Sequence, residues 1–337
     1  MIDLRSDTLT KPSAAMRQAM AGAEVGDDIL DGDPTTRRLE ERTAELLGMD
    51  AALFFPSGTM ANQAALAVLG RHGTEMLVHE DAHLANWEKA GISGLAGMQP
   101  RFIRGAVRVT AATLAAAHRD PARDGPRASL CSIENTHASA GGAVTPLAEL
   151  EACAADARAH GLAVHLDGAR LWNAAAATGV PVAAFAAVAD LTMVSFSKGL
   201  GAPIGSALAG SAARIEDAWE VRQRLGGGMR QSGVIAAAAL YGLDHNMTRL
   251  GDDHAAAVRF AEIVAQAPHA RVVTPQSNIV MIDLAEPRRA RDVAAAAAAQ
   301  GVRVGTWTST RLRAVTHLDV SAADVERAAH VLRVLLS

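Results

Sequence analysis

Cysteine is nearly absent from this sequence. The 337 residues contain two, Cys131 and Cys153, too few for a disulfide framework and without any C-x-x-C spacing, which fits a reducing compartment. An excess of charge of one sign is also missing: 32 Lys and Arg stand against 36 Asp and Glu, a formal net charge of -4, with no long run of either sign. Neither nucleic acid nor an anionic membrane is indicated as a partner, which leaves small molecules. No uninterrupted apolar run reaches the roughly 18 residues that argue for a bilayer span, and the opening MIDLRSDTLTKP has no basic stretch leading into an apolar one. The expectation is a cytoplasmic protein without a membrane partner. Repeats of solenoid length are lacking too; the Ala-rich stretches AATLAAA (111–117) and VAAAAAAQG (293–301) read as helices with small packing faces.

What is present is apolar content of 50%, enough for a sizeable core and for one large domain with an appendage or for two domains. The stretch DPTTRRLEERTAELLG predicts a helix, with Asp33 as cap, Pro34 in the first turn, Leu39, Leu46 and Leu47 on one side and Gly48 as the stop. Short apolar runs then alternate with helical segments: AALFF, GTMANQAALAVLG, MLV, ASLCSIE, TPLAELEACAADARAHG, LAVHLD and LTMVSFS. That alternation predicts βα units around a mostly parallel sheet flanked by helices, with ligands at the carboxyl ends of the strands. From about residue 246 the pattern becomes helix, two strands, helix, two strands, helix. The expected division is a large domain with an N-terminal arm over 1–245 and a smaller α+β domain over 246–337.

Two candidate chemistries follow. His79, Glu80 and His83 spell H-E-x-x-H, a zinc-peptidase pattern when it lies on a helix. Here EMLVHE reads as a strand entering a loop, no Glu occurs between Glu88 and Glu134, and Asn86 and Lys89 stand where the extended pattern needs Gly and His. No metal is expected. The stronger candidate joins LAVHLDGARLW, which delivers Asp167 and Arg170 at a strand end, to LTMVSFSKGLGAPIGS, which delivers Ser195, Ser197 and Lys198. A lysine there, flanked by Gly199 and Gly201, is costly to desolvate unless paired or neutral. One reading is an amine with a depressed pKa that condenses with an aldehyde cofactor, with Asp167 holding a pyridine nitrogen protonated; the other is a buried Asp167–Lys198 ion pair. The first is favoured by a Ser-Gly-Thr turn into a helix at Ser57, Gly58 and Thr59, suited to an anion. Arg230 in GGGMRQSG, at a helix start, suits a phosphate, and Arg313 within a strand suits a carboxylate.

The order and wording of these motifs resemble the low-specificity L-threonine aldolases, within the β-eliminating lyase group of fold type I pyridoxal-phosphate enzymes. The likeness runs through MIDLRSDTLTKP, VGDD, PSGTMAN, ENTH, HLDGARLWNA, SFSKGLGAPIGS, GGGMRQSG, RLGDDH and RAVTHLDV, nearly the whole chain. It implies a transferase-like fold of type I. It also implies pyridoxal 5'-phosphate on Lys198, with Asp167 at the pyridine nitrogen, His83 over the ring as a stacking and acid–base residue, and Gly58, Thr59 and Arg230 on the phosphate. Ser57, Ser195 and Arg170 complete the cofactor set, while Ser6, Arg170 and Arg313 hold the substrate carboxylate. His79 and Glu80 become incidental. The implied reaction is cleavage of L-threonine, L-allo-threonine or a related β-hydroxy-α-amino acid to glycine and an aldehyde, by a homodimer at least and a homotetramer as first expectation. The alternatives are a phenylserine-type aldolase and another β-eliminating lyase. Departures fall around the side-chain pocket: Leu30 in place of a Tyr, Trp87 and Ala90 in a segment that more often has Tyr or Phe and Gly, and Ala138 for Asn. A second His before ENTH has no counterpart in RDPARDGPRASL, which leaves His118 as its substitute.

Overall fold

A computed structural model of the chain describes residues 1–119 and 125–337. The segment RDPARDGPRASL, which offers no second histidine, lies partly outside the described residues. In chain order the strands are β1 (Ile2–Asp3), β2 (Ala51–Phe55), β3 (Glu75–His79), β4 (Gln99–Ile103), β5 (Ala128–Glu134), β6 (Ala163–Gly168), β7 (Leu191–Ser195), β8 (Ser206–Gly210), β9 (Ala270–Val272), β10 (Ile279–Leu284), β11 (Val302–Arg303), β12 (Gly305–Thr306) and β13 (Arg311–Val315). Among the described residues seven of them form one sheet in the order β2-β8-β7-β6-β5-β3-β4. Pairs from β4 through β7 are parallel; β8 runs antiparallel to both β7 and β2. The sheet is thus mostly parallel, and β3, β7 and β8 are buried along their whole length, as expected of strands covered on both faces.

Two of these strands are not legible from the sequence. β4, QPRFI, carries a Pro and an Arg at the sheet edge, and β8, SALAG, is built from small residues that mimic a turn. The helix read from DPTTRRLEERTAELLG spans Pro34–Leu47, with the Asp33 side chain accepting from Thr36 N and Gly48 closing it at φ +63. That is the geometry its cap and stop residues favour. Leu39 and Leu47 are fully buried in the main core, and Leu46 packs at its edge.

A second sheet, β12-β13-β10-β9, is antiparallel and is covered by the helices Leu250–Val264, Ala290–Ala299 and Ala322–Leu335 around a core containing Phe260, Ile282, Leu312 and Leu332. The run VRVGTW, read as one strand, is split into β11 and β12. β11 leaves the sheet to pair in parallel with β1, so Ile2 and Leu4 join this second core. The N-terminal arm therefore starts against the smaller unit and then crosses to the larger one. That crossing puts residues 5–8 between the two sheets, at the carboxyl ends of β6 and β7.

Candidate active site

After β7 the chain buries Phe196 and turns at Ser197 and Lys198. A Cβ at Gly199 would come within 2.7 Å of Leu250, and one at Gly201, which sits at φ +76, within 2.7 Å of Leu318. Two glycines therefore let the lysine turn lie flush against the smaller unit. The Lys198 carbonyl accepts from Thr10 Oγ1 at 3.3 Å, which ties the turn to the N-terminal arm. Its side chain lines a cavity of about 340 Å³ together with Ser6, His83, Glu134, Arg170 and Arg313. Burial and the neighbouring Arg170 charge lower the Lys198 pKa, against the opposing pull of Asp7, Asp167 and Glu134. Among the described residues Lys198 makes no ion pair with Asp167. The alternative reading of a buried Asp167–Lys198 salt bridge is therefore not what the fold builds, because Asp167 has other partners.

Asp167, on β6, is buried and receives the Ala169 N–H at 3.1 Å on Oδ1 and the Asn62 amide at 3.0 Å on Oδ2. Asn62 belongs to the helix Gly58–Leu69, four residues after Gly58 and so on the same face, about 6 Å further along the axis. Ser57 caps that helix, its Oγ accepting from Met60 N at 3.2 Å. The amides of Gly58 and Thr59 have no partner inside the helix and point outward with its positive end. Ser57, Gly58 and Thr59 lie beyond the lining of the cavity itself. Ser195, at the end of β7, is buried; its Oγ is 3.4 Å from Ser197 Oγ and its carbonyl accepts from Trp172 Nε1.

His83 opens a short helix after β3, while His79 ends the strand itself. His79 is held on both ring nitrogens, Nε2 at 2.9 Å from the Ala106 carbonyl and Nδ1 receiving Asp81 N at 3.1 Å. The two imidazoles do not share a helical face, which removes the geometric basis of a zinc-peptidase site. His83 instead donates Nδ1–H to Glu88 Oε1 at 3.0 Å, and its backbone N–H bonds Glu134 Oε2 at 2.9 Å. Glu88 is fixed in turn by Asn62 at 2.8 Å and Gln63 at 2.7 Å. Burial disfavours the charged imidazole, but the Glu88 hydrogen bond and the carboxylates of Asp167, Glu88 and Glu134 hold the His83 pKa above its ordinary value.

The arginines divide differently from the expectation. Arg170 was assigned to the substrate carboxylate, yet its Nε and Nη2 are both spent on Asp7 at 2.7 Å, within a pair that is almost wholly buried. It still lines the cavity, with Nη1 not engaged by Asp7. Burial favours the neutral form of Asp7, but the Arg170 charge and hydrogen bonds, Lys198 and Asn278 hold its carboxyl well below the usual range. Arg313 is the less committed cation. Nη2 donates to the Arg5 carbonyl at 3.1 Å, Nε is buried without a partner, and the guanidinium lies 4.5 Å from the Trp307 ring centroid. Burial and the Arg170 charge pull its pKa down to about 10. Ser6 shares the cavity, its Oγ 2.8 Å from Thr8 Oγ1.

Three further residues fall away from the cavity within one chain. Arg230 is mostly exposed, and among the described residues its guanidinium has only a 3.5 Å contact with Asp27; Leu30 is 76% exposed; His118 bonds Asp156 at 2.6 Å and stacks on His160. None lines the site. His118 therefore does not replace the second histidine. Asp7, Asn62, Glu134 and Trp307 were not foreseen. Asn62 carries a sequence signal in its i,i+4 spacing from Gly58 and Glu134 in its place at the carboxyl end of β5; Asp7 and Trp307 are brought in by long-range packing.

A desolvated amine at the end of β7, a pinned carboxylate on the adjacent strand, a helix N-terminus one turn from the Asn62 that pins it and a guanidinium whose buried Nε has no partner fit pyridoxal phosphate and an amino acid. Fold and site together are those of a fold type I pyridoxal-phosphate enzyme. A threonine aldolase structure from Leishmania major matches with a TM-score of 0.83 at 19% identity over 100% of both chains, and a Sphingomonas wittichii serine palmitoyltransferase with 0.75 at 19% over 99% of this chain and 86% of that one. Residues 3–287 match the family model described as Beta-eliminating lyase, and the chain belongs to that family. It is 40% identical over 333 residues to the low specificity L-threonine aldolase of Escherichia coli K12, covering 98% of each. It is 41% identical over 335 residues to low-specificity L-threonine aldolase 1 of Arabidopsis thaliana, covering 96% of this chain and 93% of that one.

Proposed function

We propose that this chain is an aldehyde-lyase that cleaves a β-hydroxy-α-amino acid, with L-threonine and L-allo-threonine as first substrates, to glycine and an aldehyde. One observation carries the reading: Arg313, whose buried Nε has no partner, lines the same cavity as Lys198. A substrate carboxylate is what that guanidinium lacks. Pyridoxal phosphate, bound through Lys198, supplies the electron sink for the charge released when the Cα–Cβ bond breaks. Arg313 and Ser6 hold the carboxylate, and this orientation decides which bond at Cα is cleaved. Asp167, kept in place by Asn62, holds a proton on the pyridine nitrogen. Gly58, Thr59 and Arg230 hold the phosphate, with Ser57 shaping the helix start and Ser195 the lysine turn. His83, oriented by Glu88, would pack against the bound cofactor and accept the β-hydroxyl proton directly or through a water. Arg170 acts chiefly by fixing Asp7 and the arm, and adds positive potential at the carboxylate.

We further propose a cytoplasmic homodimer at least, with a tetramer as first choice, and the division at residues 245 and 246 into a large and a small domain. Among the described residues no helix is long and apolar enough to cross a membrane. In support of a second copy, the loop bearing Arg230 meets the loop 24–33, Asp28 N donating to the Arg230 carbonyl at 3.0 Å. Val25 and Leu30 on the loop 24–33 and Val234 at the start of the helix Gly233–His245 are exposed, apolar surface of the kind that subunit contacts cover. An Arg230 facing outward there can serve a neighbour's phosphate. A panel of threonine, allo-threonine and phenylserine isomers, assayed for aldehyde and glycine, tests the reaction. 2-Oxobutyrate or phenylpyruvate with ammonia, the elimination products of these substrates, in place of glycine would assign a different β-eliminating lyase, and an active monomer in sedimentation would contradict the shared site.

A further inference from the structure

The outer wall of the cavity is aromatic. Trp87 lies four residues after His83, its backbone N–H bonding the His83 carbonyl at 2.8 Å, and Trp307 stands between β12 and β13. The two indoles, far apart in sequence, lie with centroids 5.4 Å apart and planes tilted by 40°. Both line it, and so does Ala138. Trp307 is fixed by packing against the Ala138, Ile279, Met281 and Val315 cluster and by the Arg313 guanidinium on its face. Trp87 leans on Trp307 yet remains 53% exposed, an uncompensated apolar surface at the site.

These positions constrain what occupies the space. With the carboxylate on Arg313 and the β-hydroxyl beside His83, the substituent on Cβ extends toward the residue one helical turn beyond His83, which is Trp87. A methyl group covers little of an indole. A planar ring can take an offset or edge contact with it. Resting on the aldolase reading above, we infer that Trp87, braced by Trp307, makes this enzyme select β-hydroxy-α-amino acids with an aryl β-substituent over threonine.

The experiment compares kcat/KM for L-threo-phenylserine and L-threonine in wild type, Trp87→Phe and Trp87→Ala holoenzymes, alongside binding of the uncleavable L-phenylalanine and L-alanine followed by indole fluorescence. Wild type is expected to favour phenylserine by about tenfold or more. That ratio should persist in Trp87→Phe and collapse in Trp87→Ala, together with the preference for phenylalanine over alanine. Equal losses on both substrates, or an unchanged ratio in Trp87→Ala, would overturn the inference while leaving aldehyde release from threonine intact. If wild type releases aldehyde from neither substrate, the aldolase reading fails, and the phenylalanine-to-alanine binding ratio still decides the role of Trp87.

Discussion

Replacing Asp7 by Ala should destabilise the protein far more than its place in an N-terminal arm suggests. Asp7 is fully buried, its two oxygens receive Arg170 Nε and Nη2 at 2.7 Å, and Oδ2 also receives the Asn278 amide at 3.1 Å. Truncation leaves the buried Arg170 charge without its partner, a change that costs about 3–5 kcal/mol, compared with about 0–1 kcal/mol for an exposed pair. Urea titrations of wild type and Asp7→Ala at neutral pH should differ by that larger amount. The pH dependence follows from the depressed Asp7 pKa. Its stabilisation is fully present above the unfolded carboxyl value of about 4 and is lost as pH falls through the lower folded value. The gap between the two proteins should therefore be constant from neutrality down to about pH 4 and narrow below it. A difference under about 1 kcal/mol, or one that grows on acidification, would refute the role given to this pair.

Arg313→Met should raise KM for threonine by about 10- to 150-fold, the equivalent of one charge-assisted hydrogen bond of about 1.5–3 kcal/mol; a KM within threefold of wild type, by about the same arithmetic, would remove Arg313 from the carboxylate site. Glu88→Gln removes the charge that raises the His83 pKa and leaves at most a weaker, neutral hydrogen bond, so the acidic limb of the kcat/KM profile, where His83 must be neutral to accept a proton, should move to lower pH. A limb that stays put would show that another group titrates there. Arg230→Ala should weaken retention of pyridoxal phosphate by about tenfold or more, read by absorbance after dialysis, and unaltered retention would take Arg230 out of the phosphate set.

The local features of the fold were legible where one stretch of chain carries its own signal. Asp33, Pro34 and Gly48 delimit a helix by capping chemistry alone, and the apolar runs ending at Asp167 and Lys198 mark buried parallel strands. β8 escaped because SALAG has the small residues of a turn and becomes a strand only by pairing between β2 and β7. VRVGTW reads as one strand, and its split into β11 and β12 escaped because the partner of β11 is β1, in the arm at the other end of the sequence. The same distinction governs the site. Lys198, Asp167, His83 and Arg313 could be named from strand ends and from resemblance, and they meet around one cavity or its edge. The commitment of Arg170 to Asp7, 163 positions away, and the meeting of Trp87 with Trp307 depend on how the arm and the smaller sheet pack, which no local pattern encodes.

Lys198 is the residue on which the account turns. Purified protein incubated with pyridoxal phosphate, reduced with borohydride and digested should carry a stable pyridoxyl group on the peptide containing Lys198, with the absorbance of the bound cofactor absent from Lys198→Ala. A label found on other lysines while Lys198 stays unmodified, or equal labelling of wild type and Lys198→Ala, would contradict it.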